Sequence, residues 1–94
     1  MQIIWSRNAS ADLDAVFQYL LPKNPKAAIA TIDQINASIE HLAQHPELGR
    51  KGRITHTREL IIPQTPYIVT YRFVENVLEI AAIIHGSRKW PSQL

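Results

Sequence analysis

The chain has 94 residues and a formal net charge of +2; 46% of its residues are hydrophobic, 19% are charged and none is cysteine. We expect such a chain to form one globular domain over residues 1–94, and it can hold neither a disulfide framework nor a thiolate metal site. No apolar run approaches the roughly 18 residues of a membrane-spanning helix, and no secretory leader follows Met1, so we expect a cytoplasmic protein.

The first elements of the chain are predicted to be a short strand over residues 2–5 and a helix that ends at Pro22. Apolar residues of the helical segment recur at steps of 4, 3, 1 and 3, which is the spacing of one helical face. Either Ser6 or Asn8 can cap the start of this helix. Proline ends it because the ring removes a backbone donor and clashes with the preceding turn.

A second helix is predicted to start at Pro25, because proline suits the first helical turn. Its apolar residues alternate between steps of four and three, and they are Ala28, Ile32, Ile35, Ile39 and Leu42. This narrow seam suits a helical hairpin that packs against the first helix and a sheet. We therefore expect Ile35 and Ile39 to be buried.

His41 and His45 are spaced i, i+4 near the end of the second helix, and such a pair can bind zinc. The segment lacks the glutamate of a metalloprotease motif, and the sequence shows no third ligand. Imidazoles near a helix C-terminus also suit the helix dipole. We expect no metal site and no cofactor.

A loop over residues 45–53 is followed by three predicted strands, over residues 54–62, 67–74 and 77–84. If Glu75 and Asn76 form a two-residue hairpin loop, Arg72 lies opposite Glu79 as an ion pair. The fold class that these elements predict is α+β. The helical hairpin covers one face of a three- or four-stranded antiparallel sheet.

Continuing the hairpin register separates the last two strands into two faces and places Thr70 opposite Ala81. The apolar face, which we expect the helices to cover, collects Tyr67, Val69, Tyr71, Phe73, Leu78, Ile80, Ala82 and Ile84. The other, open face collects Ile68, Thr70, Arg72, Glu79, Ala81, Ile83 and His85. His85 is thus predicted to leave its strand on the same face as Arg72.

Charge is distributed unevenly, since residues 50–94 hold seven Lys or Arg against three acids, and residues 1–49 hold three against five. A basic half indicates an acidic or polyanionic partner, although a solvated basic surface would show the same pattern. The candidate partner-binding or target-binding residues are Arg53, Arg58, Arg88, Lys89 and Trp90. Trp90 either covers the core or, if exposed, anchors an interface.

Three segments, HPELGRKGR, TRELIIPQTPYIVTYR and IIHGSRKWP, together resemble the RelE/ParE toxins of type II toxin–antitoxin modules. The resemblance extends over essentially the whole chain. It implies a growth-inhibiting protein that a cognate antitoxin neutralises, in a hetero-oligomeric complex. From the basic excess, we expect the interacting antitoxin segment to be acidic and amphipathic.

The family resemblance implies one of two targets: RelE-like members cut mRNA on the ribosome, whereas ParE-like members inhibit DNA gyrase. RelE-like nucleases carry cationic residues that contact the phosphate of the RNA. The corresponding positions here hold Glu59, Ile61 and Ile68, none of which can donate to a phosphate. We therefore predict a ParE-like gyrase inhibitor that acts through protein contacts. If the chain is instead a metal-independent mRNA endonuclease, the candidate catalytic residues are His85, Arg72 and Arg88.

Overall fold

The computed structural model describes residues 1–88 and 90. Its elements, in chain order, are β1 (Gln2–Trp5), α1 (Arg7–Leu20), α2 (Pro25–Gln44), β2 (Arg50–Lys51), β3 (Arg58–Ile61), β4 (Tyr67–Val74) and β5 (Val77–His85). The strands form one sheet in the order β1-β5-β4-β3-β2. Four strands are antiparallel and β1 joins β5 in parallel, so the α+β prediction is confirmed and the sheet gains a fifth strand.

Both helices start at side-chain caps. Of the two caps that the sequence allows for α1, the structure uses Ser6, whose Oγ accepts the Ala9 N–H at 2.9 Å. Asn24 caps α2 in the same way, just before Pro25. These oxygens satisfy backbone donors that the first helical turn leaves without partners. Neither helix of the described residues combines the length and apolarity needed to cross a membrane.

The helical hairpin and the sheet enclose an apolar core. The predicted burial of Ile35 and Ile39 is confirmed, with 0% and 2% of their surface exposed, and Tyr67 and Tyr71 are also buried. The buried cluster consists of Ala9, Val16, Ile35, Ile39, Leu42, Ile62, Tyr67, Val69, Tyr71, Leu78, Ile80 and Ile83. The buried residues of α2 thus pack directly against side chains of the strands.

The β4–β5 hairpin follows its predicted register only part of the way. The loop of Glu75 and Asn76 places Arg72 opposite Glu79, as predicted, and Glu75 adopts the positive φ of 56° that such a tight loop requires. Between Thr70 and Tyr71 the register shifts, and Thr70 pairs with Ala82. The predicted partner of Thr70, Ala81, is therefore wrong, because a β-bulge inserts one extra residue into β5.

The bulge exchanges the two faces of β5 beyond Ile80. Ile83 pairs with Val69 and enters the core, while His85 pairs with Tyr67 and contacts its ring edge-on at a centroid distance of 5.5 Å. Because Tyr67 faces the helices, His85 does too. The prediction that His85 shares the open face with Arg72 is wrong.

The face of the sheet that points away from the helices is also less open than predicted. Ile68, Thr70 and Ala82 on this face are 6%, 0% and 4% exposed. Farther along the same face, Arg72 and Glu79 remain partly exposed. Only part of this face is therefore available to a partner.

The region between α2 and β4 differs most from prediction. A two-residue strand, β2, lies inside the predicted loop, and β3 is only four residues long. The segment before β3 forms a tight turn, in which the Gly52 N–H donates to the Thr57 carbonyl at 2.8 Å and His56 has a φ of 66°. A residue with positive φ interrupts the extended conformation that a continuous strand would need.

Tyr71 ties the chain after α2 to the centre of the sheet. Its hydroxyl donates to the Pro46 carbonyl at 2.7 Å and accepts the Gly49 N–H at 2.8 Å. A Cβ on residue 49 would lie 2.5 Å from that hydroxyl oxygen and 2.8 Å from the Glu59 carbonyl oxygen. Glycine is therefore required here by close approach, and the loop that precedes β2 is fixed in position.

Truncation of the α2 seam tests the core. We expect Ile35→Ala to lower the free energy of unfolding by about 2–4 kcal/mol, because it leaves a cavity in a fully buried site. Ile29→Ala on the same helix is a matched control, since Ile29 is 56% exposed, and it should change the free energy by less than about 0.5 kcal/mol. Urea denaturation followed by circular dichroism measures both; equal effects would contradict this core.

Removal of the Tyr71 hydroxyl tests the tie between loop and sheet. Tyr71→Phe should cost about 1–3 kcal/mol, because a buried Gly49 N–H loses its acceptor. Burial raises the pKa of Tyr71, so this stabilisation is complete below about pH 10 and is lost as the pH rises through the folded-state pKa. The difference in free energy of unfolding between wild type and variant should therefore narrow in urea titrations at alkaline pH. A constant difference would contradict a stabilising role for the protonated Tyr71 hydroxyl.

Candidate functional site

A groove lined by basic residues lies between the β2–β3 loop and the end of β4. It has a volume of about 620 Å³, and its lining residues are Lys51, Gly52, Arg53, Thr55, His56, Thr57, Arg58, Arg72 and Phe73. Four of them carry a permanent positive charge and none is acidic. We call this surface the basic groove.

Arg58 lines the basic groove and supports its wall. Its guanidinium donates to the carbonyls of Gly49 at 2.8 Å and Glu47 at 3.3 Å, and its Cζ lies 5.8 Å from the ring centroid of Phe73. Both hydrogen-bond acceptors are neutral backbone groups, so they orient the guanidinium without cancelling its charge. Arg58 can therefore still attract an anionic partner.

Glu59 lies beneath the β2–β3 loop and organises the cations around it. Its side chain is 1% exposed, and its carboxylate accepts the Arg53 N–H at 2.7 Å and the Arg50 guanidinium at 3.1 and 3.3 Å. The Nε of Arg53 lies 3.7 Å from the same carboxylate. A buried carboxylate is tolerated only when it is paired and hydrogen-bonded in this way, so Glu59 fixes the loop that forms one wall of the groove.

Trp90 lies beside the basic groove, against Arg53. The Cζ of Arg53 is 3.9 Å from the indole centroid, and Trp90 is half-buried. Trp is the most favourable ring for a cation–π contact, and Arg is the cation most often found in one. Two predicted partner-binding residues, Arg53 and Trp90, are thus brought together, while a third, Lys89, lies outside the described residues.

The predicted ion pair across the β4–β5 hairpin is present. Arg72 Nε lies 2.7 Å from Glu79 Oε1, and both side chains are about 40% exposed, at 41% and 39%. Glu79 compensates the charge that Arg72 brings to the groove. An exposed pair of this kind contributes at most about 1 kcal/mol to stability, so we assign Arg72 mainly to shaping the wall of the groove.

His85 and Arg88 lie in a different place, on the helix side of the sheet near the start of β4. Together with Tyr19 and Tyr67 they line a second depression, which we call the helix-side cleft. Arg72 is five positions along β4 from Tyr67, the partner of His85, which is a distance of about 17 Å along the strand. The three residues predicted for a nuclease therefore do not form one site.

Several residues of the basic groove were not singled out from the sequence. Lys51, His56 and Phe73 line it, and the only signal for the first of these was the basic run in the loop before β3. The rings of His41 and His45 are in contact at a centroid distance of 4.9 Å and are tilted by 53° to each other. Within the described part of the chain no group of three potential metal ligands is found.

Comparisons with known proteins agree on one family. A family model described as the ParE toxin of the type II toxin–antitoxin system parDE matches residues 3–90. The chain is 37% identical over 93 residues to the putative toxin Y4kP of Sinorhizobium fredii, covering 99% of this chain and 96% of that protein. It is 30% identical over 87 residues to Toxin RelE2 of Caulobacter vibrioides, covering 93% and 97%.

A solved structure shares the fold. A chain of the chromosomal ParDE TA system from P. aeruginosa superposes with a TM-score of 0.81, covering 90% of this chain and 95% of that one. The two sequences are 24% identical, so this likeness concerns the arrangement of helices and strands.

Substitution of two glutamates on the same face of the sheet tests the role of the buried Glu59 carboxylate. Glu59→Gln should lower the free energy of unfolding by about 1–3 kcal/mol, because it leaves Arg50 and Arg53 without their shared counter-charge. Glu79→Gln is the matched control. It should lower the free energy of unfolding by at most about 1 kcal/mol, because the ion pair between Arg72 and Glu79 is exposed. Chemical denaturation at low and high salt measures both. Equal losses would contradict an organising role for Glu59.

Proposed function

The chain belongs to the ParE toxin family of type II toxin–antitoxin systems, and we propose that it inhibits DNA gyrase through protein contacts at the basic groove. The observation that carries this proposal is the stack of Trp90 on Arg53 at the margin of a groove with four permanent cations. Trp and Arg are the residues that most often dominate the energy of protein interfaces. Gyrase binding at the groove would include both side chains in the contact.

The arrangement of acid, base and cations favours an inhibitor over a nuclease. Metal-free RNA cleavage needs a base, an acid and phosphate-binding cations within reach of one scissile group. His85 and Arg72 lie on opposite faces of the sheet, about 17 Å apart along β4. Glu59 takes a position where the nucleases of the family carry a cation, and it is buried in ion pairs.

Membership of a type II toxin family implies an antitoxin partner. We propose that this partner presents an acidic, amphipathic segment, because the groove is positively charged and is flanked by the rings of Phe73 and Trp90. Complementary charge accelerates association and excludes basic competitors. Occupation of the groove by such a segment would also prevent gyrase from using the same cations.

An assay with both targets tests the proposal. Purified toxin is offered to gyrase in a supercoiling reaction and, separately, to mRNA on translating ribosomes. We expect blocked supercoiling and intact message. Lys51→Ala, Arg53→Ala and Trp90→Ala should each weaken gyrase inhibition without abolishing it. Loss of the Trp anchor should weaken it about tenfold.

Lys26→Ala provides the charge-matched control, since Lys26 is exposed on α2 and does not line the groove. Its inhibition of gyrase should equal that of the wild type. Codon-positioned cuts in the message, together with unchanged supercoiling, would overturn the proposal. Loss of inhibition in the control as well as in the groove variants would show that charge alone, and not the groove, is responsible.

A further inference from the structure

The helix-side cleft is a second site that the gyrase proposal does not use. Two adjoining cavities, of about 360 and 310 Å³, share four lining residues: Tyr19, Tyr67, His85 and Arg88. These come from α1, from the start of β4 and from the end of β5 and the turn that follows it. Three polar rings and one guanidinium therefore converge from separate elements on one depression.

The turn after β5 is held in a defined conformation. The Gly86 N–H donates to the Pro66 carbonyl at 2.8 Å, and the Arg88 N–H donates to the His85 carbonyl at 3.0 Å. The Ser87 N–H donates to His85 Nδ1 at 3.2 Å. Since Nδ1 accepts a hydrogen bond, the neutral imidazole carries its proton on Nε2, where it remains a donor.

The two tyrosines add hydroxyl donors. Burial raises the pKa of Tyr67, and the nearby guanidinium of Arg88 opposes part of that rise, so the phenol keeps its proton at neutral pH. Tyr19 is exposed, and the Nζ of Lys23 lies 4.4 Å from its ring centroid. The cleft therefore presents donors and flat apolar surfaces side by side.

The charge of the cleft is small. Arg88 is the permanent cation among the described residues that line it, and it forms no ion pair with another of the described residues. Asp12 lines the adjoining cavity, where its Oδ2 accepts the Ile83 N–H at 3.0 Å. One cation with one carboxylate nearby suits a ligand of single negative charge and disfavours a phosphate dianion.

We propose that the helix-side cleft binds one carboxylate of an acidic peptide partner, with Arg88 and the hydroxyl of Tyr67 as its principal donors. A guanidinium pairs well with the two oxygens of a carboxylate. The tyrosine rings supply the apolar walls that the methylene groups of an aspartate or glutamate side chain need. This inference names a contact for the acidic partner proposed above, and it does not depend on gyrase being the target.

The test uses the full chain and three small probes. Sodium propionate represents the glutamate side chain, propionamide is its uncharged analogue, and inorganic phosphate is the competing anion. Amide chemical shifts in ¹⁵N–¹H spectra report binding separately at the cleft and at the basic groove. We expect propionate to shift the signals of Tyr67, Gly86 and Ser87, and propionamide to leave them unchanged.

Two substitutions assign the donors. Arg88→Gln should raise the dissociation constant for propionate about tenfold, as expected for the loss of a charge-assisted hydrogen bond, and Tyr67→Phe should raise it severalfold. Arg88 is exposed, so its replacement does not threaten the fold. Arg7→Gln is the matched control, because Arg7 is an exposed arginine on α1 that does not line the cleft. This variant should bind propionate with the dissociation constant of the wild type.

Four results would overturn the inference. These are tighter binding of phosphate than of propionate at the cleft, equal binding of propionamide, shifts confined to the groove residues 51–58, or no shifts at the cleft at all. None of these results concerns gyrase, so the inference can fail while the proposed inhibition stands. Conversely, propionate binding in a toxin that leaves supercoiling intact would support the cleft and overturn only the target.

Discussion

One extra residue in β5 determines where the polar groups at the end of the sheet lie. Ala81 is unpaired at the β-bulge, and beyond it the side chains of β5 exchange faces. The bulge is stabilised by α1: the Ser6 Oγ donates to the Ala81 carbonyl at 2.9 Å, and Asp12 accepts the Ile83 N–H at 3.0 Å. Because β1 ends at Trp5, these two side chains satisfy backbone groups that have no strand beside them.

The bulge also explains why part of the fold could be predicted and part could not. Helical periodicity, the start of α2 at Pro25 and the tight hairpin loop are local features, and the structure follows them. The segment Ala81–Ile84 is apolar at every position, so its sequence is compatible with either register and carries no signal of which face is buried. The groups that fix the register, Ser6 and Asp12, are more than 70 positions away in the chain.

Prediction of the candidate site from the sequence meets a similar limit. Sequence composition counts charges, and it correctly locates the basic excess in the second half of the chain, but it does not show how charges are paired. In the structure Glu59 is shared between Arg50 and Arg53, and Glu79 compensates Arg72. The free charge of the groove therefore comes largely from Lys51 and Arg58. Lys51 was not among the predicted binding residues, since no periodic pattern marks a residue in an irregular loop.

The position of the two sites constrains any peptide that would use both. The basic groove and the helix-side cleft lie toward opposite ends of β4. The separation is about 17 Å along the strand, which about five extended residues can span. A shorter segment can occupy only one site, so it could leave the other free for a second protein. A longer acidic segment could bridge both, and the second contact would then form at a high effective concentration. The length of a partner's acidic segment therefore decides whether it merely binds this protein or also covers its basic groove.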